Sequence, residues 1–168
     1  MKSPKKYTPM INRFAILLFL TLSISFARTS VAQDNQPQVY NQLDEAGKRQ
    51  GLWKSFFKGG QLRYEGNFLD DKPVGKFIYY YPNGKKRAEH IHLEDGKTVK
   101  AALFHQNGVV MAEGHYLEQK KEGLWRFFTT TNILVSEYYY KADINHGVWT
   151  TYFPNKQIAE ILTLHEGI

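Results

Sequence analysis

The 168-residue sequence contains no cysteine. Disulfides, thiol nucleophiles and the lipidated cysteine of a bacterial lipoprotein are all excluded by that absence. Serine is nearly as scarce beyond residue 32, where only Ser55 and Ser136 occur. There is no GxSxG, HExxH, P-loop or GxGxxG pattern. Lacking a nucleophile constellation and these motifs, the sequence reads as non-catalytic and calls for no cofactor or metal. Long aliphatic runs are also rare past the first thirty residues, so any core there must be built on Trp, Tyr and Phe.

Acidic residues are missing from one region only. Lys2, Lys5, Lys6, Arg13 and Arg28 precede Gln33, whereas none of the 16 Asp and Glu does. Removing those five from the 22 Lys and Arg leaves 17 against 16, so the formal +6 of the whole chain becomes +1. That balance argues against a nucleic-acid partner and gives no help to an anionic membrane surface. The basic segment runs into "FAILLFLTLSISFA", Phe14–Ala27, which is shorter than the ~20 residues of a membrane span. Small residues Ser30 and Ala32 follow. Residues 1–32 are thus expected to be a secretory signal peptide cleaved after Ala32, and the protein to be periplasmic or secreted.

What is plentiful is a register of twenty-four. Gly51, Gly75, Gly123 and Gly147 keep it, and the empty slot at 99 holds Val99. Two residues on stand Trp53, Phe77, Ala101, Trp125 and Trp149. Five on stand Phe56, Tyr80, Phe104, Phe128 and Tyr152. Nine on stand Gly60, Gly84, Gly108, Asn132 and Lys156. Fourteen on stand Glu65, Glu89, Glu113 and Glu137, with Glu160 one residue early in the last copy. A period of this length means a tandem repeat. "YPNGK" and "QNG" place Asn83–Gly84 and Asn107–Gly108 between strand-like runs, which predicts two-residue type I′ hairpin turns. "LDDKPVG" then forms a looser return, with Pro73 outside the ladder.

A lone hairpin is marginal in water, so the units must pair edge to edge. The expected fold is all-β: an elongated single-layer antiparallel sheet of 24-residue β-hairpin repeats, with about ten strands. Residues 33–50 form a partial repeat or cap, and 51–168 carry five repeats starting at 51, 75, 99, 123 and 147. Strand alternation puts aromatics on both faces unless a bulge intervenes, and the opening glycines suit a bend. Curvature is expected to gather the large rings into a groove.

The pattern G-x-W-x-x-Y/F-Y/F-x-x-G…E at this spacing resembles the bacterial variant of the MORN repeat over residues 40 to 165. The third copy departs most, at Val99 and Ala101. The resemblance implies a β-hairpin array used for binding, with no catalytic residues in its motif. Bacterial relatives are frequently labelled antitoxins, and eukaryotic ones are associated with membranes or protein scaffolds.

The glutamate column recurs in every copy at about 10 Å spacing, two strands apart at ~4.8 Å per step. Recurrence marks it as architecture, bonding turn backbone, a ring N–H or a neighbouring Lys or Arg. His90 and His92 alternate as zinc ligands would. Yet His92 shares a column with Phe68, Tyr116 and Tyr140, and His105 one with Phe57 and Tyr81, so both read as ring substitutions. The candidate binding surface is Trp53, Phe56, Tyr80, Phe104, Trp125, Phe128, Trp149 and Tyr152, since a one-layer sheet cannot hide both faces. An unidentified protein partner is the expectation. A toxin acting outside the cytoplasm and a glycan stacked on tryptophan are the alternatives, and the divergent third copy is the place to look.

Overall fold

The computed structural model describes residues 39–167, within the unit Pro37–Ile168. The expected signal peptide and residues 33–38 of the expected cap lie outside them. Eleven strands follow one another: β1 (Gln42–Leu43), β2 (Arg49–Phe56), β3 (Leu62–Leu69), β4 (Lys72–Tyr80), β5 (Lys86–His92), β6 (Thr98–Phe104), β7 (Val110–Leu117), β8 (Lys120–Phe128), β9 (Leu134–Lys141), β10 (Ile144–Tyr152) and β11 (Ile158–Leu164). They form one open antiparallel sheet in chain order. Strands β2–β11 supply two per repeat, and β1 is the extra one.

The turns are the reverse of the expectation. In the Asn-Gly hairpin the Gly84 N–H donates to the Tyr81 carbonyl (2.9 Å) and the Tyr81 N–H to the Lys85 carbonyl (2.8 Å). Gly84 has φ +80° while Asn83 is not left-handed. This is a three-residue loop with one left-handed position, not a type I′ turn. Asn83 instead uses its side chain to accept from the Lys85 N–H. The true type I′ pairs lie in the returns. Asp70–Asp71, Glu118–Gln119 and Ala142–Asp143 all have both φ values positive and join strands through two residues. Pro73 is likewise inside β4, opposite Phe68 rather than in a loose return. It breaks no bond to β5, because that pairing begins only at Gly75.

Each return is tied to the preceding repeat by its own side chains. The Asp71 carboxylate accepts from the Arg49 N–H and from Nε, and Asp143 accepts from the Lys121 N–H. At the N-terminal edge Asn41 takes the place of a strand. Its N–H donates to the Leu52 carbonyl, and its side-chain amide both donates to the Lys54 carbonyl and accepts from the Lys54 N–H.

Repeat-opening glycines make β-bulges. Gly66 pairs with Phe77 but Asn67 with Val74, so Gly75 and Lys76 are two extra residues on β4, with Gly75 at φ +62°. The same interruption occurs beside Gly123 and Gly147. Val99 cannot take such a backbone, being β-branched. The β5–β6 ladder accordingly runs without a shift from His92–Val99 to Ala88–Leu103. The two residues saved go into a four-residue loop between Leu93 and Thr98. The period survives although the third repeat is built differently.

Cross-strand size complementarity makes the core. A Cβ placed on Gly66 would lie 2.4 Å from the Phe77 ring, and one on Gly114 2.4 Å from the Trp125 ring. Large rings thus cover glycines of the neighbouring strand. Phe68, Phe77, Ala88, Ala101, Ala112 and Trp125 are the buried apolar residues.

Candidate functional site

Strand alternation, adjusted by the bulges, sorts the side chains onto two unlike faces. One face carries a row of rings from Trp53 through Phe68, Phe77, Tyr79, His90, Tyr116, Trp125, Phe127 and Tyr138 to Trp149, with successive centroids 5.0–6.4 Å apart. Edge-on and tilted contacts dominate, as ring quadrupoles prefer. The other face carries the glutamate column. The candidate aromatics therefore do not form one surface. Trp53, Trp125 and Trp149 lie on the ring face; Phe56, Tyr80, Phe104, Phe128 and Tyr152 lie with the glutamates.

Trp125 corrects the expected surface further. It is 0% exposed, at the centre of a cluster with Ala101, Ala112, Tyr116, Phe127 and Tyr140, and is core rather than contact. Its Nε1 donates to the His115 carbonyl, and that of Trp53 to the Gln50 carbonyl. Trp53 and Trp149 remain half-buried, and Phe56 is exposed. No ring N–H reaches the glutamates.

Lysine, arginine and tyrosine serve the glutamate column instead. Tyr80 donates to Glu65 at 2.6 Å, and Tyr152 donates to Glu137. Burial, then this bond, pushes the Tyr80 hydroxyl up to about 12. Glu89 is held by Lys86 at 2.9 Å and Lys76 at 3.0 Å, which keep it below the usual carboxylate range. Glu137 is held low by the Tyr152 hydroxyl, with Arg126 adding to it.

The histidines sit where rings sit. His92 packs on Phe77 at 5.2 Å, and His90 lies between Tyr79 at 5.1 Å and Tyr116 at 5.9 Å. Burial pushes both imidazoles below their ordinary range. His105 repeats the role of Tyr81 one copy earlier. The Tyr81 hydroxyl donates to the Phe104 carbonyl (2.8 Å), and His105 Nε2 donates to the Phe128 carbonyl (2.9 Å), each bracing its hairpin on the next repeat. Among the described residues no three His, Asp or Glu side chains gather as metal ligands.

The third repeat breaks the ring row. Ala101 stands in the column of Trp53, Phe77, Trp125 and Trp149, and Leu103 in that of Tyr79 and Phe127. With Ala88 paired to Leu103, two small or aliphatic residues fall together. They leave a cleft of about 370 Å³, walled by Tyr79, His90 and Tyr116 with Arg87 and Met111 beside them. Periodicity pointed to the third copy through Ala101. It missed Tyr79, Arg87 and Tyr116, and the column four residues into each copy, Ser55, Tyr79, Leu103, Phe127 and Thr151, is too mixed to have signalled them.

Comparisons with known proteins follow the hairpins. A search of curated proteins gives no match. Seven solved chains match, among them a crystal structure of an S. aureus TarM mutant in complex with Fondaparinux, alpha-GlcNAc-glycerol and UDP. That likeness has 12% identity and a TM-score of 0.41, over 54% of this chain and 18% of that one. The family model described as the MORN repeat variant matches residues 49–70, 73–92 and 145–165. The three segments that match the MORN repeat variant family take in the first, second and fifth hairpin units.

Proposed function

We propose that this chain is an exported, non-catalytic binding module whose ring face holds a protein partner at the third repeat. The cleft between Tyr79, His90 and Tyr116 carries this reading. It is concave and apolar, yet edged by the polar ends of tyrosine, histidine and arginine, the mixture that seats an anchoring side chain at an interface. It stands where the repeat departs from its own pattern, so it is a property of this chain and not of the architecture. The basic leader at residues 2–13 with its apolar continuation supports export.

Affinity capture from cell-envelope extract, with the full chain as bait, tests the proposal. A partner retained by the wild type and lost with both Arg87→Glu and Tyr79→Ala, while both variants keep their thermal transition, supports it. Capture indifferent to either change removes the cleft from consideration. A glycan-array signal lost in Tyr79→Ala, with no protein captured, turns the same cleft into a sugar site.

A further inference from the structure

The opposite face holds a second departure, independent of the cleft. There the fourth residue of each of the first four repeats pairs across strands with the glutamate: Lys54 with Glu65, Ile78 with Glu89, Ala102 with Glu113 and Arg126 with Glu137. In the first and fourth repeats that residue is a cation and forms the ion pair itself, Lys54 Nζ–Glu65 at 3.7 Å and Arg126 Nε–Glu137 at 2.9 Å. In the second, Lys76 and Lys86 replace it. In the third, Ala102 ends in a methyl group, and Glu113 is served from the other side by Arg126, its partner across the β7–β8 ladder, at 3.5 Å, an arginine shared with Glu137. The hydroxyl is missing as well, because Phe128 occupies the place from which Tyr80 and Tyr152 bond Glu65 and Glu137.

The absent side chain leaves space. A cavity of about 540 Å³ opens here, lined by Ala102, Ile91 and Leu124, with the carboxylates of Glu89 and Glu113 and the cations Lys100 and Arg126 on it. We propose that this cavity binds a guanidinium or ammonium group on an aliphatic stem, which pairs with Glu113 as Arg126 pairs with Glu137. The site is the position that Lys54 fills in the first repeat and Arg126 in the fourth, and the chain itself displays the occupant one repeat further on. Ile91 and Leu124 suit the methylenes of such a stem, and the carboxylate gives a charge-assisted bond to its head. Lys100 and Arg126 are the opposing charges. Arg126 has its closer partner in Glu137, and Lys100 is exposed and in no ion pair among the described residues, so its amine can turn to solvent when a cation enters. The inference does not depend on the ring-face cleft and stands if that reading fails.

The same chemistry is carried by a basic side chain of a peptide and by a free alkylguanidine, so both are used as probes. The full chain is titrated with acetyl-Gly-Arg-Gly-amide, with ethylguanidinium, and with the uncharged citrulline peptide, following the amide resonances of Ala102 and Glu113. Saturable shifts with either cationic probe and none with citrulline are expected. Response to the peptide alone identifies a macromolecular source, and response to both admits a free amine or guanidine. Glu113→Gln should weaken binding about tenfold, the scale of one charge-assisted hydrogen bond. Lys100→Ala should tighten it. Ala102→Arg should abolish it and raise the melting temperature, by filling the cavity from within. No saturable response to either cation, equal binding of citrulline, or weakening by Lys100→Ala overturns the proposal.

Discussion

The indole of Trp125 covers Gly114 so closely that a Cβ atom there would fall 2.4 Å from a ring carbon. The ring has nowhere to go, because it is fully buried and bounded by Tyr116 and Tyr140. Gly114→Ala should therefore destabilise the sheet by about 2–3 kcal/mol, the upper part of the overpacking range. Gly66→Ala should behave alike against Phe77. Urea unfolding measures both, and a loss under about 0.5 kcal/mol would show that the rings slide aside.

Restoring the repeat's own consensus should harm the third copy. Val99 lies in an unbroken ladder opposite His92 and Tyr116. Val99→Gly removes a strand-favouring side chain and should cost about 1 kcal/mol. The fifth copy predicts the opposite sign. Lys156 holds φ +67° where three other copies have glycine, so Lys156→Gly should gain a few tenths to about 1 kcal/mol. Thermal melts of the two variants should move in opposite directions.

Tyr80 should titrate apart from the other tyrosines. Burial and its bond to Glu65 favour the neutral phenol, so its folded value of about 12 exceeds the ordinary 10.0. The associated stability is fully present below pH 10 and is lost as pH rises toward 12. Tyr80→Phe should remove one late phenolate step from the absorbance titration and cost about 1 kcal/mol at neutral pH. A late step that persists in the variant belongs to another residue.

On the acid side the ring face should weaken before the carboxylates protonate. His90 and His92 are held neutral chiefly by burial, below the ordinary 6.5. The unfolded chain then binds more protons than the folded one, so stability falls as pH drops through about 6.5. Glu89 and Glu137 add their own loss only lower, below 4.5. Melting temperature should decline between pH 7 and 5, and His90→Phe should flatten that decline. An unchanged slope would assign it elsewhere.

Periodicity carried most of the fold. The spacing of Gly51, Gly75, Gly123 and Gly147 marks the bulges, and the aromatic columns mark strands. Turn types were less legible. Asn-Gly is the usual signal of a type I′ turn, yet Asp70–Asp71 holds that conformation because Arg49 ties Asp71 to the neighbouring hairpin, a contact twenty-two residues away in sequence. Face assignment was legible by counting. Trp53 and Phe56 are three residues apart and fall on opposite faces, and the two extra residues of each glycine bulge leave that parity unchanged. Grouping both columns as one surface was the step the alternation did not support. The cavity beside Glu113 was hidden because an alanine in a strand attracts no notice until Lys54 and Arg126 are seen doing the job it lacks.

Asn41 has a consequence beyond the residues it bonds. Open sheets grow by templating, since an edge that displays free peptide groups recruits the next strand from any molecule that offers one. The side-chain amide of Asn41 gives Lys54 the donor and acceptor that an incoming peptide would bring, and a side chain has no second edge of its own to offer. It works as a chain terminator does in a polymerisation, consuming the growing end without renewing it.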